Sequence, residues 1–137
     1  MNLKILYGLV FALALAGCSG TPATPTLSGR WAPVSAELGG QPFPISNFGG
    51  AVLQLTMDGY EFANDKGTYV VLTRRPPAQM DIRGQQGPNA GRTIPAIFAL
   101  DDDRLDVCYQ LGAGARPADF TSPKGTQILL IHYKRVK

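Results

Sequence analysis

Few side chains in this sequence could carry out chemistry. It has two cysteines, Cys18 and Cys108, and a single histidine, His132. A protein nucleophile needs a neighbouring base, and no serine or cysteine motif accompanies His132. One histidine and one free cysteine cannot build a structural zinc site, and residues 101–103 (Asp-Asp-Asp) lack the spaced ligands of a calcium loop. We therefore predict that the chain is not an enzyme, with no catalytic residue, metal or other cofactor.

Aromatic and basic side chains gather in two long segments rich in glycine and proline. Phe43 and Phe48 lie in "LGGQPFPISNFGG", and Arg116 and Phe120 lie in "GAGARPADFTSPKG". Aromatic residues and an arginine on a rim of loops suit the recognition of a ligand or a protein. We predict these four residues to be the binding site. An open alternative is that Phe48 and Phe120 fold inward and plug a small barrel.

The elements that must position these segments are short β-strands, because no segment keeps a 3.6-residue period. Turn residues such as Met57-Asp58-Gly59 separate the strands. Consecutive strands without crossover helices pair antiparallel, and eight of them can close into an up-and-down barrel. We thus predict an all-β fold with strands at residues 30–37, 51–56, 60–63, 68–73, 79–83, 92–100, 104–111 and 126–135.

The lengths of the connections alternate along the chain. Those after the first, fifth and seventh predicted strands are long, and those after the second, fourth and sixth are short. In an up-and-down barrel the two sets lie at opposite ends. We expect a loop-rich mouth at one end and tight turns at the other, where the first strand begins and the last strand finishes.

Cys108 lies in the predicted strand "RLDVCYQL", where side chains alternate between two faces. Leu105, Val107, Tyr109 and Leu111 form the apolar face, which should point into the barrel. Cys108 then faces the outer wall, shielded by neighbouring side chains or by "PFPISNF". The alternatives are a reactive or intermolecular thiol, or a reversed register with Cys108 in the cavity as a polar ligand contact.

The first residues have the layout of a secretion signal. Lys4 precedes "ILYGLVFALALAG", an apolar run too short to span a bilayer. The stretch Leu15-Ala16-Gly17-Cys18 resembles the bacterial lipobox, which implies cleavage before Cys18 and acylation of that cysteine. Ser19 then implies the outer membrane by the enteric sorting pattern. An ordinary secretory signal with a coincidental cysteine is the alternative.

The resulting domains are a signal peptide at residues 1–17, lipidated Cys18 with a flexible tether at 18–28, and a barrel at 29–137. The tether "SGTPATPTLSG" has almost no apolar content. We expect a cell-envelope lipoprotein in the outer membrane that faces the periplasm, with its membrane contact through the lipid. The formal charge of +3 is spread along the chain, which argues against a nucleic-acid partner.

Gly29-Arg30-Trp31 resembles the G-x-W that begins lipocalins, and Arg135 resembles their closing arginine. The resemblance implies that the arginine packs across the tryptophan at the closed end of the barrel. The alternative is that Trp31 is an ordinary core residue and Arg135 a solvated tail residue.

A second resemblance covers nearly the whole predicted barrel. The ordered set "LSGRWAPVSAELGGQPFP", "YEFANDKGTY", "MDI", "GPNAGRTIPAIFALDDDRLDVCY", "RPADF" and "YKR" is similar to an uncharacterised domain family described chiefly from planctomycetes. That family occurs in secreted and lipid-anchored chains and implies no activity. Two functions follow from the residues: a non-catalytic binder of a small apolar ligand, or a protein-binding lipoprotein such as an inhibitor of an envelope or foreign hydrolase.

Overall fold

The computed structural model describes residues 17–137. The predicted signal peptide, apart from Gly17, therefore lies outside the described residues. The described chain forms nine strands and a short 3₁₀ helix, Ile45–Phe48. The strands are β1 (Gly29–Leu38), β2 (Gln41–Pro42), β3 (Leu53–Leu55), β4 (Gly59–Phe62), β5 (Asp65–Thr73), β6 (Ala78–Gln86), β7 (Thr93–Leu100), β8 (Arg104–Gln110) and β9 (Ile128–Arg135).

The strands form one antiparallel sheet in which β1 and β3 to β9 follow one another in chain order. Pairing of β1 with β9 closes these eight strands into a barrel, with Trp31 opposite Arg135. This confirms the predicted all-β, up-and-down antiparallel barrel of about eight strands. The strand β2 was not predicted. It forms a hairpin on β1 because Gly39 and Gly40 take φ of 58° and 81°, as a tight turn requires.

The core lies inside the barrel and follows the two-residue alternation of each strand. In β6, Ala78, Met80 and Ile82 are buried. In β8, Leu105 and Val107 belong to the main core, whereas Cys108, which is equally buried, belongs to a separate cluster with Ile97 and Leu130. The inward face of β8 is therefore the predicted one, which excludes the reversed register.

The end of the barrel with the tight turns is closed by Trp31 and Arg135, as predicted. Trp31 is fully buried, and the guanidinium carbon of Arg135 lies 4.1 Å from the centre of its ring. Arg135 also donates to the carbonyl oxygens of Asp102 (2.7 Å), Ser28 (3.0 Å) and Thr26 (2.9 Å). The alternative of a solvated Arg135 is therefore wrong.

The predicted tether joins the barrel earlier than its boundary at residue 29. Leu27 is buried in the core, and its carbonyl oxygen accepts from Trp31 Nε1 at 2.9 Å. Gly29 follows with φ of 142°, and a Cβ there would lie 2.6 Å from Arg135 Nη1. The chain thus enters at the tight end, opposite the loop-rich mouth. Within residues 17–137, no helix is long and apolar enough to cross a membrane.

Cys108 lies on the outer wall, as predicted, and is fully buried there between Ile97 and Leu130. Its cover is Phe120 and the connection between β8 and β9, and not the "PFPISNF" segment. The Cys108 thiol donates to the carbonyl oxygen of Thr121 at 3.4 Å. Burial, helped by the charge of Asp119, raises the pKa of Cys108 from 9.0 to about 11. The reactive-thiol alternative finds no support in this geometry.

Candidate functional site: the barrel cavity

A cavity of about 120 Å³ lies inside the barrel toward its loop-rich mouth. Its walls are the inward side chains of β3 to β9, which are mostly aliphatic or aromatic. The aliphatic part of the wall is at least nine-tenths buried at each of Leu53, Ile82, Ile94, Val107 and Ile131. The interior is therefore neither filled by side chains nor wide open. A ligand site with few polar groups and an apolar lining has this character.

Phe48 covers the mouth of the cavity. It ends the 3₁₀ helix, where Gly49 turns the chain with φ of 61°. Its ring centre lies 5.3 Å from that of Phe43 and 5.3 Å from that of Phe62. Aromatic rings at this spacing attract one another, so they form a packed lid instead of a protruding edge. The predicted inward fold of Phe48 is therefore correct.

A small polar cluster interrupts the apolar lining near the mouth. Asn89 Nδ2 donates to Asp65 Oδ2 at 2.6 Å. Tyr60 Oη and Asp65 Oδ1 are buried, and the two side chains interact with each other without forming a hydrogen bond of normal length and angle. Burial, followed by the nearby charge of Asp65 and by hydrogen bonding to that carboxylate, raises the pKa of Tyr60 to about 12, so the phenol stays protonated.

Two glycines allow this cluster to assemble. A Cβ on Gly67 would lie 2.0 Å from the carbonyl oxygen of Arg83 and 2.9 Å from the Tyr60 ring, so only glycine leaves room for the tyrosine. A Cβ on Gly84 would lie 1.8 Å from the carbonyl oxygen of Asn89. Glycine there lets the connection from β6 to β7 fold onto the strand and carry Asn89 to the mouth.

Sequence reasoning missed Tyr60, Asp65 and Asn89 as site residues. One signal was available for Asp65, since it shares the inward two-residue alternation of β5 with Tyr69. A carboxylate on the apolar face of a strand points to a polar function inside the barrel. No local signal marked Asn89, whose position depends on the backbone contact at Gly84.

Two more tyrosines cross the interior beside this cluster. The hydroxyls of Tyr109 and Tyr133 lie 2.9 Å apart and are hydrogen-bonded to each other. Burial raises the pKa of both phenols, and the neighbouring Tyr60 contributes to the shift of Tyr109. These two hydroxyls therefore satisfy each other within the barrel, beside the Tyr60 and Asp65 pair.

The structure separates the four residues predicted as one binding rim. Phe43 and Phe48 are at the mouth, but Arg116 lies against the outer wall. Arg116 Nη1 donates to the carbonyl oxygens of Met80 (2.7 Å) and Ala96 (3.0 Å), and its Nη2 donates to Asp81 Oδ1 at 2.6 Å. The shared rim is therefore wrong, because β8 and β9 are joined by a connection long enough to fold back along the wall.

Phe120 lies farther along the same wall and does not plug the barrel. It packs over the patch around Cys108 and contributes to a shallow groove with Pro76, Pro77 and Leu100 at the tight end. Arg116 and Phe120 thus hold the connection of residues 111–127 to the outside of the barrel.

His132 also lies on the outer wall, away from the cavity. Its Nδ1 lies 2.6 Å from Asp106 Oδ1, and Ser35 is opposite His132 in the pairing of β1 with β9. No hydrogen bond joins Ser35 to His132 in the part of the chain that the structure describes. Ser35, His132 and Asp106 have the residue types of a nucleophile, its base and an orienting carboxylate. The hydrogen bond from Ser35 to His132 that would activate the serine is not made among the described residues. No group of three metal-ligating side chains occurs within residues 17–137.

Comparisons with protein-family models, with curated proteins and with solved structures found no match to this chain. The resemblances to lipocalins, to the planctomycete domain family and to the lipobox therefore stay predictions from the sequence.

Proposed function

We propose that this chain is a non-catalytic envelope lipoprotein that binds a small, largely apolar ligand inside its barrel. The observation that carries the proposal is the apolar cavity of about 120 Å³ under the Phe48 lid. An engineered apolar cavity of about 150 Å³ binds benzene, so a single ring is the right scale for the enclosed space. Movement of Phe48 is the route by which a ligand enters.

The lid also favours a small ligand over a protein partner. Phe43 and Phe48, the aromatic residues predicted to contact a partner, pack onto the core instead of standing out from the rim. Arg116 is engaged by the barrel wall. A protein-binding surface needs anchors that a partner can bury, and these side chains are already committed within the chain.

A lipid anchor at Cys18 would orient the barrel relative to the membrane. Residues 26–28 join the barrel at the tight end, so acylation of Cys18 places the membrane on that side. The Phe48 lid is then directed toward the periplasm. We propose the outer membrane as the location. We also propose that nucleic acid is not a partner, because the charge of the chain is spread out.

Binding of benzene tests the proposal. The full chain is placed in lipid nanodiscs and titrated with benzene, while amide NMR shifts and the melting temperature are followed. We expect shifts at Val107 and Ile131, which line the cavity, and a rise in melting temperature because the ligand binds only the folded state.

Two matched variants locate the bound benzene. Leu129→Trp adds a ring at the mouth of the cavity and should abolish binding, whereas Leu72→Trp adds the same ring to the outer face of β5, where Leu72 is 51% exposed, and should not. Equal binding by both variants, or none by the native chain, contradicts the proposal. Capture of one envelope protein by both variants would support the partner alternative, and turnover that vanishes in His132→Ala would establish an enzyme.

A further inference from the structure

Tyr109 and Tyr133, here called the tyrosine pair, share one hydrogen bond but carry two hydroxyl protons. Their Oη atoms lie 2.9 Å apart, and either hydroxyl can be the donor. Both phenols stay protonated because burial raises their pKa. Each oxygen thus has a partner, yet the bond between them uses only one of the two protons. No other hydrogen bond joins either hydroxyl to the described residues, so one O–H donor of the pair has no acceptor there.

This free donor lies inside the barrel. Both rings line the cavity, and Tyr133 is only 2% exposed. Tyr109 is opposite Leu129 and Tyr133 is opposite Leu105 in the pairing of β8 with β9, so the two rings reach each other from neighbouring strands. Buried donors in folded proteins are almost always paired, since an unpaired one forfeits its hydrogen bond to water. The free O–H therefore points to an acceptor atom supplied by a ligand.

The other two tyrosines that line the cavity have acceptors within the chain. The Tyr69 hydroxyl donates to the carbonyl oxygen of Thr56 at 2.7 Å. The Tyr60 hydroxyl interacts with the Asp65 carboxylate, which is an acceptor for its proton. Among the tyrosines of the cavity wall, only the tyrosine pair has a donor to offer a ligand.

A neutral carbonyl oxygen is the ligand atom that suits this donor. It accepts a hydrogen bond and brings no proton of its own that would need an acceptor in return. A methylene group in its place accepts no hydrogen bond and would leave the donor unpaired. A carboxylate also accepts, but Asp65 on the same wall repels a second negative charge, and burial of a charge is costly.

We propose that the cavity binds a small ketone or aldehyde, whose carbonyl oxygen accepts from the tyrosine pair while its apolar body packs against Ile94 and Ile131. This inference rests on the proposed function and names the ligand class for that site. The free O–H gives selectivity for the carbonyl group, and the aliphatic wall gives the affinity that does not depend on it.

Cyclohexanone and methylenecyclohexane test the inference, because they differ only by an oxygen in place of a methylene group on one six-membered ring. Both affinities are measured for the full chain in lipid nanodiscs. The quantity compared between variants is the ratio of the cyclohexanone affinity to the methylenecyclohexane affinity. This comparison cancels the transfer of each compound out of water and its partition into the lipid.

Removal of both hydroxyls isolates the contact. Tyr109→Phe combined with Tyr133→Phe should lower the ratio at least about threefold, with the methylenecyclohexane affinity retained. Each single variant leaves one hydroxyl with a free proton and should keep the ratio within about twofold of the native value. Such a loss, which appears only in the double variant, differs from a gradual loosening of the cavity. Tyr69→Phe is the matched control, because it removes a hydroxyl of the same wall that is already engaged, and should keep the ratio.

A second measurement does not depend on the fold of the double variant. The carbon-13 signal of the cyclohexanone carbonyl moves downfield when the oxygen accepts a hydrogen bond, so we expect a downfield shift on binding to the native chain. A bound carbonyl signal like that in hexane overturns the carbonyl site.

The outcomes separate the two proposals. An equal ratio in the native chain and the double variant overturns the carbonyl site and leaves the apolar cavity standing. A ratio that falls as far in Tyr69→Phe as in the double variant also overturns it. Binding of neither compound, nor of benzene, overturns the cavity function itself and the carbonyl site with it.

Discussion

Replacement of Arg116 by alanine should destabilise the fold, and the structure gives the size of the effect. The Arg116 guanidinium joins the connection of residues 111–127 to two strands, through the carbonyl oxygens of Met80 on β6 and Ala96 on β7 and through the Asp81 carboxylate. Its removal leaves Asp81 without its partner on a wall where both side chains are only 22% exposed.

Hydrogen bonds to charged groups contribute about 1.5–3 kcal/mol each. The three contacts share one guanidinium, and the partial exposure of the ion pair lets water replace some of the loss, so their contributions do not add in full. We expect Arg116→Ala to lower the free energy of unfolding by about 2–4 kcal/mol. Arg116→Lys keeps the charge but loses the forked geometry, and should cause an intermediate loss.

Urea unfolding of the full chain measures these values, and Trp31, the only tryptophan, supplies the fluorescence signal. Arg83→Ala is the matched control, because Arg83 is an exposed arginine on β6 two residues from Asp81. The double variant Arg116→Ala with Asp81→Ala should show a coupling of at least about 1 kcal/mol. If Arg116→Ala lowers the free energy of unfolding by less than about 0.5 kcal/mol, the structural role is refuted and Arg116 is again a candidate binding residue.

Three other perturbations test the remaining structure. Trp31→Ala should cost about 3–5 kcal/mol by urea unfolding followed by circular dichroism, because this variant lacks the only tryptophan, and a loss below about 1 kcal/mol would contradict its burial. With a pKa of about 11 instead of 9.0, Cys108 has about a hundredfold less thiolate at pH 8, so alkylation of the folded chain should be slow and Phe120→Ala should accelerate it. Equal alkylation rates in the two chains would argue against the Phe120 cover. Cys18→Ser should leave an unprocessed or soluble form in cell fractionation, and membrane partition like that of the native chain after signal removal would rule out acylation there.

The sequence was sufficient for the barrel because each strand carries its own evidence. Side chains alternate with a period of two, and turn residues separate the runs, so the eight strands and their order follow from local information. Closure also follows, since an open antiparallel sheet of this size would expose its edges. The hairpin of β1 with β2 escaped because two residues are too few to show an alternation, although Gly39-Gly40 marked its turn.

The site was harder to predict because it depends on contacts between distant residues. Arg116 and Asp81 are 35 positions apart, and no local pattern joins them. The sequence predicted the mouth of the cavity in part, since Phe48 does close it. Asn89 reaches Asp65 only because Gly84 admits the folded connection, a close approach that no period in the sequence encodes.

One strand, β8, contributes both to the cavity inside the barrel and to the covered patch on its outer wall. Its inward residues Val107 and Tyr109 line the cavity, while outward Cys108 is covered by Phe120 from the connection that Arg116 fastens. The patch on the outer wall buries apolar side chains and so adds to the stability of the fold. The interior therefore does not have to be filled, and the inner face of β8 can line a cavity. Stability and cavity binding should therefore separate: Arg116→Ala should weaken the fold and keep benzene binding, whereas Leu129→Trp should abolish benzene binding and leave the fold intact.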